Sequence, residues 1–225
     1  MDEKVEIPRD SPIYNLIDNS NYLANRLYSV LSKGNLKNEI PFKDLEVYIL
    51  LDCARTISKT DKFFTIFQVC ALTTALYNLE IPYLLSVVGD SGFKVVLKDL
   101  DEEHSYEALQ KPLDFIMIKR CNTNIASCVK TALGIFNPET INKSGQRVFY
   151  IFTNGLVEEY KLYSQWKENI FKEAYNCTFA FIFSMSDSLK EDQKKDLKEE
   201  WEGFQKACDE HNKFYIFYLF LKMNF

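Results

Sequence analysis

The stretch Glu46-Val-Tyr-Ile-Leu-Leu-Asp52 decides the fold, because it is a short apolar run that stops at a carboxylate. An apolar run of this length without alternation predicts a strand buried on both faces, as in parallel sheets. From about Thr60 to Leu79, apolar residues recur at helical spacing and predict a buried helix. The predicted apolar face of this helix comprises Phe63, Phe64, Phe67, Val69, Cys70, Leu72, Leu76 and Leu79. A buried strand followed by a buried helix is the repeating unit of a parallel α/β sheet.

The same alternation continues along the chain. Tyr83–Val88 predicts a strand, Gly89–Gly92 a hairpin turn and Phe93–Leu97 a short returning strand. Further strands are predicted at Arg147–Phe152, Thr178–Phe183 and Phe214–Leu221, and helices at Glu102–Gln110, Asn122–Phe136, Glu158–Tyr175 and Leu189–Glu210. The predicted fold class is therefore α/β: a doubly wound, mostly parallel six-stranded sheet with one antiparallel edge strand, similar to a Rossmann sheet.

The first 43 residues stand apart from this pattern. Ile13–Leu31 is helix-like, and a turn-rich connector, Ser32–Asn38, follows it. We therefore expect an N-terminal helical extension over residues 1–43 and one sheet domain over residues 44–225.

Composition and charge narrow the function classes. The 225 residues include 27 basic and 32 acidic side chains, a net charge of -5 that argues against nucleic acid as a partner. The most apolar stretch, Phe214–Leu221, is much shorter than a membrane helix, and the N-terminus lacks an apolar signal region. We expect an intracellular protein, cytoplasmic or nuclear, without a membrane partner.

The six cysteines are scattered, contain no CxxC pair and accompany only two histidines. In a chain of this size without a secretory signal, this pattern favours buried reduced thiols over three disulfides and argues against a zinc site.

Polar residues that follow the predicted strands mark a candidate site. In open parallel sheets, ligands bind at the carboxyl ends of the strands, where Asp52, Thr56, Thr123 and Asn154 would share one crevice. A carboxylate, two hydroxyls and an amide suit Mg²⁺, and a partner's acidic side chain could complete the coordination. Asp90, in the neighbouring hairpin, joins these four residues in the predicted partner-binding set.

In these motifs the chain resembles the von Willebrand factor A (VWA) family. That family carries a metal-ion-dependent adhesion site built from Asp-x-Ser-x-Ser, a Thr in a later loop, and the Asp of Thr-Asp-Gly. The corresponding segments here are Asp52–Thr56, Cys121–Ile125 and Thr153–Gly155, in the same order and with the first and third each following a predicted strand. The resemblance spans about Leu45 to Phe220 and implies an interaction module of Rossmann-like fold.

Two departures from the family pattern weaken the implied metal site. Ala54 removes one hydroxyl ligand, and Asn154 replaces an aspartate. At 4 Å and an effective dielectric near 20, one lost unit charge is worth about 4 kcal/mol before hydration offsets it. We therefore predict weak Mg²⁺ binding or none, with the guanidinium of Arg55 or Arg120 replacing the cation beside Asp52.

A purely structural interpretation of the same residues stays open. Asp52 could cap the loop that follows its strand, and Thr123 and Asn124 are common residue types at helix starts. Thr153–Gly155 is also an ordinary turn signal.

Within the family, the run from Val47 to Asp90 resembles the midasin group, which implies binding of a ubiquitin-like domain. The predicted function is a non-enzymatic protein interaction module with no catalytic residues and no nucleotide cofactor. One alternative is a nucleotide-dependent or hydrolytic enzyme on the same sheet; another is a structural subunit with a vestigial site. The chain has only 7 glycines and lacks GxGxxG, GxxxxGK[ST] and GxSxG, which disfavours the enzyme.

Overall fold

The computed structural model describes residues 45–53, 59–89, 93–105, 107–118, 146–153, 177–184 and 214–219, with seven helical residues between 191 and 202. The predicted extension over residues 1–43 and the predicted helices Asn122–Phe136 and Glu158–Tyr175 lie outside the described residues.

The described strands form one mixed sheet that is mostly parallel. They are β1 (Leu45–Asp52), β2 (Tyr83–Val88), β3 (Lys94–Lys98), β4 (Gln146–Thr153), β5 (Cys177–Ser184) and β6 (Phe214–Leu219), in the order β3-β2-β1-β4-β5-β6. Among these described strands, β3 alone runs antiparallel, and it forms one edge of the sheet. The predicted α/β class with one antiparallel edge strand is confirmed.

Both faces of the central strands are buried, as the continuous apolar run at β1 predicts. Val47, Ile49 and Leu51 belong to the core on the α1 side, where α1 is the helix Lys59–Asn78. On the other face, the rings of Tyr48, Phe149 and Phe179 stack across β1, β4 and β5, with 4.9 Å between successive ring centroids. Stacked aromatic side chains on neighbouring strands stabilise the register beyond the area they bury.

Helix α1 confirms the helix predicted over Thr60–Leu79, but one residue of the predicted apolar face is wrong. Val69 and Leu76 are buried against the sheet, whereas Phe67 is 40% exposed. With 3.6 residues per turn, Phe67 lies nearly opposite the stripe that contains Val69 and Leu76.

The C-terminal end of α1 is a Schellman motif without glycine. The Ile81 N–H donates to the Leu76 carbonyl over 2.9 Å, and the Glu80 N–H donates to the Tyr77 carbonyl over 3.1 Å. Glu80 occupies the left-handed position at φ 55°, where glycine is most common. The motif turns the chain directly into β2.

The prediction of a short helix over Glu102–Gln110 is wrong. The helical segment is a 3-10 helix at Ala108–Met117, and Pro112 lies inside it. Residues before it fold instead around the Lys98 ammonium, which binds the Asp99 and Glu102 carbonyls at 2.9 and 3.0 Å. The same ammonium donates to the Tyr83 carbonyl on β2 over 3.2 Å, and this contact across the sheet holds it where it overrides the local helical preference.

The described part of the predicted helix Leu189–Glu210 is helical, and the described side chains there are exposed. On this exposed face, Lys195–Glu199 and Lys198–Glu202 form ion pairs one turn apart, each at 3.6 Å. Within the described residues, no helix is long and apolar enough to cross a bilayer. Neither of the described thiols, Cys53 and Cys70, is joined in a disulfide.

Candidate functional site

The strand order places a topological switch point between β1 and β4. From β1 the chain passes to β2 on one side, and after β3 it returns to β4 on the other side of β1. β1 is thus followed along the chain by a strand on one side of this point and β4 by a strand on the other, and such a point is where parallel α/β sheets bind ligands. Asp52 ends β1 and Thr153 ends β4, so both residues lie at this point.

A hydrogen bond joins the two residues. The Thr153 hydroxyl donates to Oδ2 of Asp52 across 2.7 Å, a short distance typical of a charge-assisted hydrogen bond. Only 4% of Asp52 and 3% of Thr153 are exposed. The register explains the contact, because Leu51 pairs with Phe152 and the next residues on the two strands are therefore neighbours.

Cys53, the residue after Asp52, fixes the start of the following loop to β2. Its N–H donates to the Val88 carbonyl over 3.2 Å, and its Sγ lies 3.1 Å from the same oxygen. On the other side of Val88, the Gly89 N–H donates to the Phe93 carbonyl over 3.0 Å and closes the hairpin. The ends of β1, β2 and β4 thus hold Asp52 in place through both backbone and side-chain contacts.

Of the predicted site residues, the structure describes Asp52 alone. Thr56, Asp90, Thr123 and Asn154 lie outside the described residues, as do Arg55 and Arg120, the predicted replacements for the cation. The part played by those six residues stays a prediction.

Sequence reasoning missed Thr153 as a partner of Asp52. Thr153 begins the third motif, but the motif predicts a site role only for Asn154, the next residue. The register between β1 and β4 places Thr153 beside Asp52, so a prediction of that register would have identified Thr153 as the partner.

The donor chemistry at the switch point fits a hard cation only in part. The Asp52 carboxylate and the Thr153 hydroxyl are oxygen donors of the kind that Mg²⁺ prefers. However, the hydroxyl donates its proton to Oδ2 of Asp52 and so competes with a cation for that oxygen. Among the described residues, no group of three or more His, Cys, Asp or Glu side chains could hold a metal ion.

A second polar cluster lies at the amino edge of the sheet, which is the end at which the parallel strands begin. The switch point lies at the opposite, carboxyl edge, where those strands end. The buried Lys98 ammonium donates to the carbonyls of Tyr83, Asp99 and Glu102 at 3.2, 2.9 and 3.0 Å and lies 4.5 Å from the centroid of the Tyr83 ring. Burial lowers the pKa of Lys98, although the carboxylates of Glu102 and Asp99 oppose that shift and Lys111 adds to it. Burial also raises the pKa of Tyr83, and nearby Glu102 and Cys70 raise it further.

His104 belongs to this amino-edge cluster. Its ring packs edge-on against Tyr77, with 5.5 Å between centroids, and at 5.9 Å from the Tyr83 ring. Burial lowers the pKa of His104, Lys98 lowers it further, and Glu80 opposes the shift. Cys53 lies at the carboxyl edge, so His104 and Cys53 are at opposite ends of the strands.

Comparisons with known proteins find similarity in structure but none in sequence. No family model and no curated protein matches the sequence. The structure is similar to the crystal structure of the manganese-loaded TRAP protein of Plasmodium vivax, with a TM-score of 0.51 and 12% identity over 70% of this chain and 63% of that one. The conserved hypothetical protein BatB of Bacteroides thetaiotaomicron gives a TM-score of 0.49 and 12% identity over 79% and 91% of the two chains.

The similarity to TRAP confirms the VWA-like fold that the sequence motifs predict. Because this chain spans about 63% of the TRAP chain at 12% identity, the similarity concerns the fold alone.

Proposed function

We propose that this VWA-like chain is a non-enzymatic protein interaction module that binds its partner at the carboxyl edge of the sheet. The contact that carries the proposal is the hydrogen bond between Thr153 and Asp52 at the switch point. A carboxylate and a hydroxyl from two different strands converge there, at the position where parallel α/β sheets bind ligands. The interface would consist of Thr56, Asp90, Thr123 and Asn154 around this pair.

Binding at this site would depend weakly on Mg²⁺ or be independent of it. The predicted ligand set contains one carboxylate, since Asn154 occupies the place of the family's second aspartate. Oδ2 of that carboxylate already accepts a hydrogen bond from Thr153. Arg55 or Arg120 would supply the positive charge that a cation supplies elsewhere in the family.

The proposed partner is a protein that presents an acidic side chain, with a ubiquitin-like domain as the specific class that the midasin resemblance implies. A net charge of -5 disfavours nucleic acid, and we propose an intracellular location without membrane binding. A guanidinium beside a buried carboxylate would be positioned to pair with a second, external carboxylate.

The test is recovery of bound proteins by the immobilised full chain from cell extract. Asp90→Ala and Thr123→Ala each remove a side chain of the proposed interface at the carboxyl edge. Asp101→Ala is the control, because it removes a carboxylate, as Asp90→Ala does, from an exposed residue at the amino edge. At least one partner should be lost with both carboxyl-edge variants and retained with Asp101→Ala, equally in Mg²⁺ and in EDTA.

Equal recovery of every partner by all variants would place the interface elsewhere. Loss of recovery in EDTA, or sub-millimolar Mn²⁺ binding in calorimetry, would overturn the proposed independence from metal.

A further inference from the structure

The His104 ring is packed against aromatic residues of two different elements at the amino edge. Tyr77 belongs to the last turn of α1 and Tyr83 is the first residue of β2, and their ring centroids lie 5.5 and 5.9 Å from that of His104. Nδ1 of His104 is buried and has no hydrogen-bond partner among the residues that the structure describes. The buried Tyr83 hydroxyl also lacks a partner within the described part of the chain, so no hydrogen bond joins the two rings.

A fixed ammonium lies beside these rings. The Lys98 ammonium is 4.5 Å from the Tyr83 centroid and is held by the carbonyls of Tyr83, Asp99 and Glu102. Lys98 is only 1% exposed, so water screens its charge little. His104 and Lys98 approach the same Tyr83 ring, and the charge of Lys98 disfavours a second cation there.

The carboxylates that act on this cluster are already paired or are exposed. Glu102 forms an ion pair with Lys111 at 3.5 Å, and Oδ1 of Asp99 accepts a backbone N–H at 2.7 Å. Glu80 favours protonation of His104, but Glu80 is exposed and solvent screens its charge. These groups therefore compensate a charged His104 ring only weakly.

The buried phenol and thiol of the cluster supply no negative charge. Burial raises the pKa of the Cys70 thiol on α1 to about 11. Burial also raises the pKa of Tyr83, and Glu102 and Cys70 add to that shift. Both groups are therefore neutral at the pH at which a histidine titrates.

The two protonation states of His104 make different demands on this site. The neutral ring can carry its single proton on Nε2, which leaves the buried Nδ1 as an acceptor without a donor. A second proton makes Nδ1 a buried donor on a charged ring, and such a donor costs much more free energy without a partner. Burial and the charge of Lys98 accordingly lower the pKa of His104. The charged ring is thus more stable in water than between Tyr77 and Tyr83.

We propose that His104 makes the amino edge sensitive to pH: when its ring binds a second proton, residues 99–105 separate from α1 and β2 while the sheet stays folded. The pairing of β2 with β3 ends at Lys98, so this opening breaks no strand pairing. Within the segment, the Glu102 N–H donates to the Asp99 carbonyl over 3.3 Å, a local contact that the open segment can lose alone. The inference concerns the opposite end of the strands from the carboxyl-edge site and does not depend on the proposed function.

The proton that the open segment gains limits the size of the effect. In the open segment, the His104 ring recovers its ordinary pKa of 6.5. The closed form is therefore fully stable above pH 6.5 and loses stability as the pH falls toward the lowered pKa of the folded protein. Between pH 7 and pH 5, the population of the open form rises by at most about 25-fold, the limit for a closed ring that stays neutral.

The experiment measures amide hydrogen exchange of the full chain at pH 7 and pH 5, corrected for the intrinsic exchange rate at each pH. The open population at residues 99–105 should rise at least about threefold at pH 5, without dependence on dilute urea, because local opening exposes little surface. His104→Phe keeps a ring beside Tyr77 and should abolish the rise, and His104→Gln serves if His104→Phe does not fold. His211→Gln is the matched control, since it removes the only other histidine of the chain and should leave the rise unchanged.

An NMR titration of His104 in the His211→Gln protein checks the protonation step itself. The ring should titrate below pH 6.5, and titration at or above that value would overturn the proposal. An equal rise in His104→Phe and wild type would overturn it as well. So would the same rise and the same urea dependence at residues 99–105 and 84–88, since the whole domain would then open rather than this segment.

Discussion

Replacing Thr153 with valine tests the contact at the centre of the proposed site. Valine has nearly the same shape as threonine, so the substitution removes the hydroxyl that donates to Oδ2 of Asp52 and keeps the volume of the side chain. Asp52 is 4% exposed, so water has little access to replace the lost donor. A hydrogen bond to a charged group contributes about 1.5–3 kcal/mol, and we expect Thr153→Val to lower the free energy of unfolding by that amount.

Urea unfolding followed by circular dichroism measures this difference. The midpoint should fall while the slope with urea stays constant, which separates a change of stability from a change of the unfolded state. In thermal unfolding, a loss of this size corresponds to about 3–12 °C in a domain of 150–250 residues. Thr153→Ser is the control, since it keeps the hydroxyl and loses one methyl group, worth about 0.8 kcal/mol.

A double-mutant cycle with Asp52→Ala assigns the loss to this pair. If the hydrogen bond carries the effect, Thr153→Val should cost at least about 1 kcal/mol less when Asp52 is already alanine. The reasoning is refuted if Thr153→Val destabilises by less than about 0.5 kcal/mol, or by the same amount in both backgrounds.

Three further measurements test other parts of the structure. Glu80→Gly should raise the free energy of unfolding by roughly 0.5–1 kcal/mol, because Glu80 holds a left-handed conformation at φ 55° that suits glycine; a lower urea midpoint would contradict this. Burial lowers the pKa of His104 below its ordinary value of 6.5, so the unfolded state binds the proton more readily and stability should fall as pH drops below 6.5. His104→Phe keeps a ring beside Tyr77 and should flatten that decline; an unchanged slope would assign it to other groups. Millimolar Mg²⁺ should shift the thermal midpoint by less than about 1 °C, and a larger saturable shift would show that a site binds the ion.

Much of the sheet could be predicted from the sequence because strand and helix periodicities are local. The apolar run that ends at Asp52 and the helical spacing that follows predicted β1 and α1, and the structure places both within one residue of those predictions. The failure at Glu102–Gln110 has the opposite cause. There the Lys98 ammonium is held by the Tyr83 carbonyl on the neighbouring strand, and from that buried position it binds the Asp99 and Glu102 carbonyls and bends the chain into a turn.

The contacts that define the candidate site depend on pairings between distant segments. The apolar pattern placed Asp52 at the end of a strand, but Thr153, 101 residues away, becomes its partner only through the order and register of β1 and β4. Likewise, Lys62 has an ordinary sequence context, and its burial over Phe115 appears only once α1 packs against the 3-10 helix.

The sequence by itself therefore determined the fold class, the six strands and helix α1, since these follow from hydrophobic periodicity along neighbouring positions. The tertiary structure alone decided which polar groups meet. Burial leaves a carboxylate or an ammonium stable only beside a hydrogen-bond partner, and strand register and helix packing select that partner from segments far apart in the chain.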